Sequence, residues 1–171
     1  MLSTPILLDY QSSTPCSKDV VDSMKPFWSE IFSNPSNKSN LAGINASAIL
    51  EASREKIEQN LFLKNKKVIF TSGATESNNL ALLGFARNYY KKTGNYGHII
   101  TLKTEHKAVL EPLHQLKKEG FMVTEITPER DGIISEEQFR KNIREDTFLV
   151  SVMMANNEIG VIQPIENISK I

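Results

Sequence analysis

The sequence lacks most of the features that announce a function outright, and each lack excludes something. It has one cysteine, Cys16, so no intrachain disulfide can form, which suits a reducing compartment. Lysine plus arginine number 20 and aspartate plus glutamate number 20, so the formal net charge is zero and bulk charge does not argue for nucleic acid as a partner. No apolar run approaches the length of a membrane span. The opening residues, MLSTPILLDY, have no basic stretch leading into a long apolar one, and no Arg-rich amphipathic character. The expectation is a cytoplasmic chain with no membrane, nucleic-acid or metal site. There is no lysine followed by serine or threonine after a glycine turn, which excludes a P-loop, and no G-x-G-x-x-G, which excludes the dinucleotide fingerprint. Cys16 lies just ahead of an expected helix, where a dipole could activate it, but it has no histidine near it in sequence and reads as an unreactive thiol in a turn.

What is present is the composition of a globular domain, with 40% hydrophobic and 23% charged residues over 171 positions. The stretch that organises the chain is 66–83, KKVIFTSGATESNNLALL. Val68, Ile69 and Phe70 form the short apolar run expected of a strand covered on both faces, over 68–71. A tight turn, Ser72-Gly73-Ala74, leads into a helix opening near Thr75 and Glu76. The first turn of that helix offers unpaired N–H groups at the positive end of its dipole, and the small side chains around it let an anion approach. This describes a phosphate seat, and equally an ordinary strand-to-helix turn that binds nothing.

Taken in order, residues 5–10 read as a short strand or extended entry. Ser17 is a good N-cap for a helix to about Phe32, with Pro26 set to kink or split it. A second helix runs from about Leu41 or Ile44 to Phe62, with Ile44, Ala48, Ala52, Ile57 and Leu61 on its buried side. The helix after the glycine turn extends to about Tyr90, with Leu80, Leu83 and Ala86 at the helical spacing and Ala81, Leu82 and Phe85 widening the apolar face. A buried strand follows, HIITL, with His98 read as a strand-edge residue. Thr104 is the expected N-cap of a helix over 105–118 that Gly120 terminates, with His114 on its surface. Further strands are expected over 121–126 and 147–153. Between them Ser135-Glu136-Glu137-Gln138 fits a capping box opening a helix to about Arg144. Residues 164–171 begin a helix that stops inside its own apolar pattern, which reads as a truncated protein.

From Lys66 onward strand and helix alternate four times, which argues an α/β fold with a mostly parallel sheet and helices on both faces. In such sheets ligands sit at the carboxyl ends of the strands. The loops SGATES, KTEH and MANNEIG all follow expected strands, so they can converge on one site.

Those same strings carry a resemblance. IFTSGATESNNLAL, HIITLKTEHKAVLEPLHQLKKEGFMVT and DTFLVSVMMANNEIGVIQPI, with the opening ILLDYQSSTP and NPSNKSNLAG, resemble the N-terminal part of a cysteine desulfurase, a pyridoxal 5'-phosphate (PLP) enzyme of the class V aminotransferase group. The resemblance runs in order over essentially the whole chain. It implies a partial large domain of the PLP-dependent transferase (aspartate aminotransferase-like) fold, over 16–171 after an N-terminal segment over 1–15. It implies conversion of L-cysteine to L-alanine, with sulfur held as a persulfide and passed to a scaffold or acceptor protein for iron–sulfur clusters or tRNA thiolation, in a homodimer. Matched by position, Ala74 and Thr75 fall on the residues that hold the PLP phosphate. His106 falls on the histidine that stacks over the pyridine ring and moves protons, and Asn157 on the asparagine near the ring hydroxyl. Alone, His106 is also a helix-start histidine capping its own backbone, and Asn157 a turn asparagine satisfying its own loop.

Lys107 follows a histidine, as the family's Schiff-base lysine does, but that lysine belongs to a Ser-x-His-Lys motif absent here, and Lys107 reads as a surface residue. The pattern is also broken at Asn40, where many members have histidine, and at Met154-Ala155, where many have His-Val. The family's Schiff-base lysine, acidic partner of the ring nitrogen, persulfide cysteine and substrate-carboxylate arginine have no counterpart in these residues, so the chain alone is expected not to desulfurate cysteine. Two other readings stay open: a non-catalytic fragment that binds a partner, and a related class V enzyme such as a selenocysteine lyase.

Overall fold

The computed structural model describes residues 6–64 and 66–171. The chain divides into two compact units, Met1–Phe70 and Thr71–Ile171.

In the first unit, helix α1 (Lys18–Met24) starts at Ser17, whose hydroxyl accepts from the Val20 N–H. Pro26 splits the expected long helix, because its ring cannot continue the hydrogen-bond ladder, and α2 (Pro26–Ser29) begins on it. Helix α3 (Leu41–Asn60) is capped by Asn40, whose side chain accepts from the Gly43 N–H at 2.8 Å. A departure from the family pattern thus has a local use. Gly43 is the buried residue of α3, and a Cβ there would come within 1.9 Å of the Asn37 carbonyl oxygen. The expected buried stripe is not covered in this unit: Ile44 and Leu61 are exposed. Residues 6–9 have no ladder partner among the described residues, and residue 5 lies outside them.

The strand expected over 68–71 does not form. Side chains of α3 take the place of a ladder: Arg54 Nε donates to the Val68 carbonyl at 3.0 Å, and the Val68 N–H donates to Glu58 Oε1 at 3.3 Å. Ile69 is 66% exposed, the opposite of a strand covered on both faces. An apolar run becomes a strand only where another strand offers paired donors and acceptors.

The second unit is a three-stranded parallel sheet with helices on both faces. It comprises α4 (Ala74–Thr93), β1 (His98–Leu102), α5 (Lys107–Glu119), β2 (Met122–Ile126), α6 (Glu136–Asn142), β3 (Thr147–Ser151) and α7 (Ile165–Ile168). The strand order is β2-β1-β3, with β1 central, His98 level with Met122 on one side and with Thr147 on the other. All five residues of β1 are buried, so its two sets of alternating side chains meet two cores. Ile99 packs with Leu82 and Ala86 of α4, Val109, Leu113 and Leu116 of α5, and Phe121. Ile100 and Leu102 pack with Ile126, Ile134, Phe139 of α6 and Ile168 of α7. On α4 Leu82 and Ala86 of the expected apolar face are buried and Leu83 packs against them, while Leu80 and Phe85 at its margins are 52% and 50% exposed.

Several local signals act as read. Ser135 and Gln138 form a reciprocal capping box, and Gly120 ends α5 in the left-handed region at φ 112°, where a side chain would be strained. Two readings are corrected. Thr104 does not cap α5; His106 does, and the helix starts at Lys107. His98 is not at a sheet edge: it is fully buried on the central strand, with ring nitrogens 2.7 Å from Thr147 Oγ1 and 2.8 Å from Thr124 Oγ1. A histidine flanked by two threonines on neighbouring strands finds both partners inside the sheet. His114 is on the surface of α5, 3.3 Å from Glu125.

Candidate functional site

The site is built on two helix starts in the second unit. Helix α4 begins after Gly73, which supplies no side-chain cap, so the N–H groups of its first turn are left to other acceptors. A Cβ placed on Gly73 would meet nothing within 4 Å, so the space beside this turn is open. The hydroxyls around it are ordered. Thr71 Oγ1 and Ser77 Oγ lie 2.6 Å apart, and Thr71 also donates to the Gly73 carbonyl at 3.1 Å. The Glu76 carboxylate accepts from both the N–H and the hydroxyl of Ser72 at 2.6 Å each. The Ser72 hydroxyl, then its N–H, holds that carboxyl below its ordinary range. The carboxylate is therefore held in its charged form against Ser72.

Helix α5 begins after His106. The Ala108 N–H donates to His106 Nδ1 at 3.0 Å, so the neutral ring carries its proton on Nε2. Thr75 and Asn79 from α4 and His106 and Lys107 from α5 line one cleft of about 450 Å³. Two of the residues singled out from sequence, Thr75 and His106, are therefore brought together. Ala74 is the first residue of α4, beside Thr75. Lys107 is exposed at the first position of α5. Asn157 is exposed in the turn after β3 and does not line this cleft. Cys16 is exposed in the other unit.

Sequence reasoning passed over two residues. Glu105 is 8% exposed, and its Oε1 accepts from the Met153 N–H at 2.5 Å. Burial pushes its carboxyl above the ordinary range, and the Met153 N–H works the other way. Asn156 Nδ2 donates to the Thr104 carbonyl at 2.8 Å, while its Oδ1 accepts from Glu158 and Ile159. The only signal for either was position, between a buried strand and a predicted site residue. Among the described residues, no group of three or more His, Cys, Asp or Glu is placed to hold a metal ion, and no helix is long and apolar enough to cross a membrane.

An uncapped start of a long helix, a ring-bearing helix start facing the same cleft and a parallel sheet behind both agree with what comparison with known proteins finds. The family model described as Aminotransferase class-V matches residues 6–171. The chain belongs to the class-V aminotransferase family. Among its curated relatives, the cysteine desulfurase IscS of Ehrlichia chaffeensis is 49% identical over 170 residues, covering 99% of this chain and 40% of that protein. The mitochondrial cysteine desulfurase of Eremothecium gossypii is 47% identical over 167 residues, covering 98% of this chain and 34% of that one. The chain thus spans 40% or so of the length of the curated relatives it matches. Among solved structures, a NifS-like protein superposes with a TM-score of 0.88 at 38% identity, over 95% of this chain and 43% of that one. SspA in complex with cysteine superposes with a TM-score of 0.85 at 41% identity, over 95% and 46% respectively. The class-V fold is therefore present here in part, as a parallel sheet with helices on both faces. Class-V aminotransferases and cysteine desulfurases are in general PLP-dependent enzymes.

Proposed function

We propose that this chain is the cofactor-binding part of a PLP-dependent cysteine desulfurase, acting on L-cysteine to give L-alanine and a protein-bound persulfide. In this reading residues 16–171 belong to its large domain and residues 1–15 form an N-terminal segment. The protein works in the cytoplasm as a homodimer that hands sulfur to an acceptor or scaffold protein. One observation carries the reading: Thr75 and His106, at the starts of two helices, line the same cleft in a class-V chain.

The residues fit the group. PLP has a dianionic phosphate and a flat aromatic ring, and it supplies an electron sink for bond cleavage at an amino acid. The uncapped N–H groups of Ala74 and Thr75, with the Thr75 hydroxyl, would hold the phosphate where the helix dipole favours negative charge. No Cβ projects from Gly73 to obstruct the approach. His106, which lines the same cleft, would cover the ring. Its Nδ1 is occupied by Ala108, so Nε2 is the atom left to hold or give up a proton. Asn157, in the turn after β3 and outside this cleft, would be the residue near the ring hydroxyl by its match to the family motif.

Titrating the chain with PLP and following the absorbance and induced circular dichroism of the cofactor tests this. Saturable binding is expected. Thr75→Ala removes a charge-assisted hydrogen bond and is expected to weaken binding by about tenfold. His106→Phe keeps a flat cover and is expected to retain affinity better than His106→Ala. Absence of saturable binding by the unsubstituted chain would overturn the reading.

A further inference from the structure

The two loops that carry His106 and Asn157 leave the carboxyl ends of adjacent parallel strands, β1 and β3. Nothing in the strand ladder reaches past Thr101 and Ser151 to hold these loops in register. Two side-chain hydrogen bonds do so instead. Glu105 Oε1 accepts from the Met153 N–H at 2.5 Å, and Asn156 Nδ2 donates to the Thr104 carbonyl at 2.8 Å. Both donors lie on the loop after β3 and both acceptors on the loop after β1. Each loop gives one side chain and receives the other's on its backbone.

We propose that Glu105 and Asn156 are positioning residues, a reciprocal clasp that sets the distance between His106 and Asn157 and so the placement of the ring held between them. The proposal rests on the reading of His106 and Asn157 as cofactor residues. Each clasp residue immediately precedes the one it positions. Asn156 is committed to the protein: its Oδ1 accepts from the N–H groups of Glu158 and Ile159 at 2.9 and 3.0 Å, and its own N–H donates to Val161 at 2.8 Å. The side chain shapes its own turn with one end and grips the neighbouring loop with the other. Glu105 is buried, so its carboxyl gives up water for this contact, a cost that a merely exposed loop residue would not bear. The His106 ring is held from its other side by Ala108. Backbone clasp and ring cap together leave the imidazole little freedom to turn.

The test uses PLP as the probe on the chain and three substitutions. Glu105→Ala removes the acceptor. Glu105→Gln keeps an amide oxygen for Met153. Asn156→Asp keeps both acceptor bonds to Glu158 and Ile159 but loses the donor to Thr104, so it opens the clasp without dissolving the turn. PLP affinity, the induced circular dichroism of the bound cofactor and hydrogen exchange of the Met153 amide are measured. Glu105→Ala and Asn156→Asp are expected to weaken PLP binding by about tenfold each and to lose the induced signal. Glu105→Gln is expected to restore both, and fast Met153 exchange is expected in Glu105→Ala alone. A purely structural role would move stability and leave the induced signal of the bound fraction unchanged. If Glu105→Ala loses its far-ultraviolet dichroism, Asn156→Asp against Glu105→Gln decides. Unchanged affinity and signal in Asn156→Asp and Glu105→Ala overturn the clasp and leave the cofactor reading intact. Failure of the unsubstituted chain to bind PLP removes both.

Discussion

Acidification below about pH 6.5 is expected to destabilise the second unit through one buried ring, His98. The side chain is fully buried on the central strand and joins all three strands, through Thr124 on β2 and Thr147 on β3. A neutral imidazole needs one donor and one acceptor, and two hydroxyls that can each rotate supply both. Burial lowers the tendency of this ring to take a proton, the nearby Arg144 charge lowers it further, and Asp146 opposes them. Its folded pKa therefore lies below its ordinary value of 6.5, which an unfolded chain restores. When the folded value is the lower one, the unfolded state binds the proton first. The contribution is then complete above the unfolded value and is lost as pH falls from there toward the folded one. The slope from a single group is at most about 1.4 kcal/mol per pH unit. Urea unfolding followed by far-ultraviolet circular dichroism at roughly pH 5 to 8 reads it. His106 and His114 are the same in both proteins, so the quantity to compare is wild type minus His98→Gln, which cannot charge. The difference should shrink as pH falls. Thr124→Val, which leaves one ring nitrogen against a methyl group, should cost about 1–3 kcal/mol at pH 7.5 or so. A wild-type profile parallel to that of His98→Gln over the whole range would refute the reasoning.

Gly43→Ala should destabilise the first unit by about 1–3 kcal/mol, because its Cβ would collide with the Asn37 carbonyl oxygen; chemical unfolding monitored by Trp28 fluorescence checks it. Gln163 is buried, with Nε2 donating to the Gly132 carbonyl at 2.7 Å and Oε1 accepting from the Ile134 N–H at 2.9 Å. Gln163→Leu strands both backbone groups and should cost about 2–4 kcal/mol in a urea titration.

Legibility in the sequence followed the range of the interaction. The Ser135–Gln138 box, the Ser17 and Asn40 cap sites, the split at Pro26 and the left-handed stop at Gly120 rest on groups a few residues apart. Four of these are read directly. Asn40 was noticed only as a departure from a family pattern, although its cap bond to Gly43 is equally local. β1 is legible because a short, mainly apolar and β-branched segment between helices has few other places to go. The same logic fails at 68–71: its composition is that of a buried strand, but the Val68 carbonyl and N–H are met by Arg54 and Glu58 of α3. His106 shows the two levels together. Its motif marked it from the sequence, while its ring orientation comes from the Ala108 N–H, and its cap role displaced Thr104.

The sequence by itself determined the cap at Ser17, the split at Pro26, the stop at Gly120, the Ser135–Gln138 box and the family to which the chain belongs, because turn chemistry, caps and motif strings are written over a few consecutive residues. Only the tertiary structure decided that Glu105 grips Met153 across 48 residues, that Asn156 grips Thr104 across 52, and that His98 reaches Thr147 across 49. Partners at that distance are chosen by which strands lie side by side, and strand order is a property of the packed sheet that no local pattern encodes.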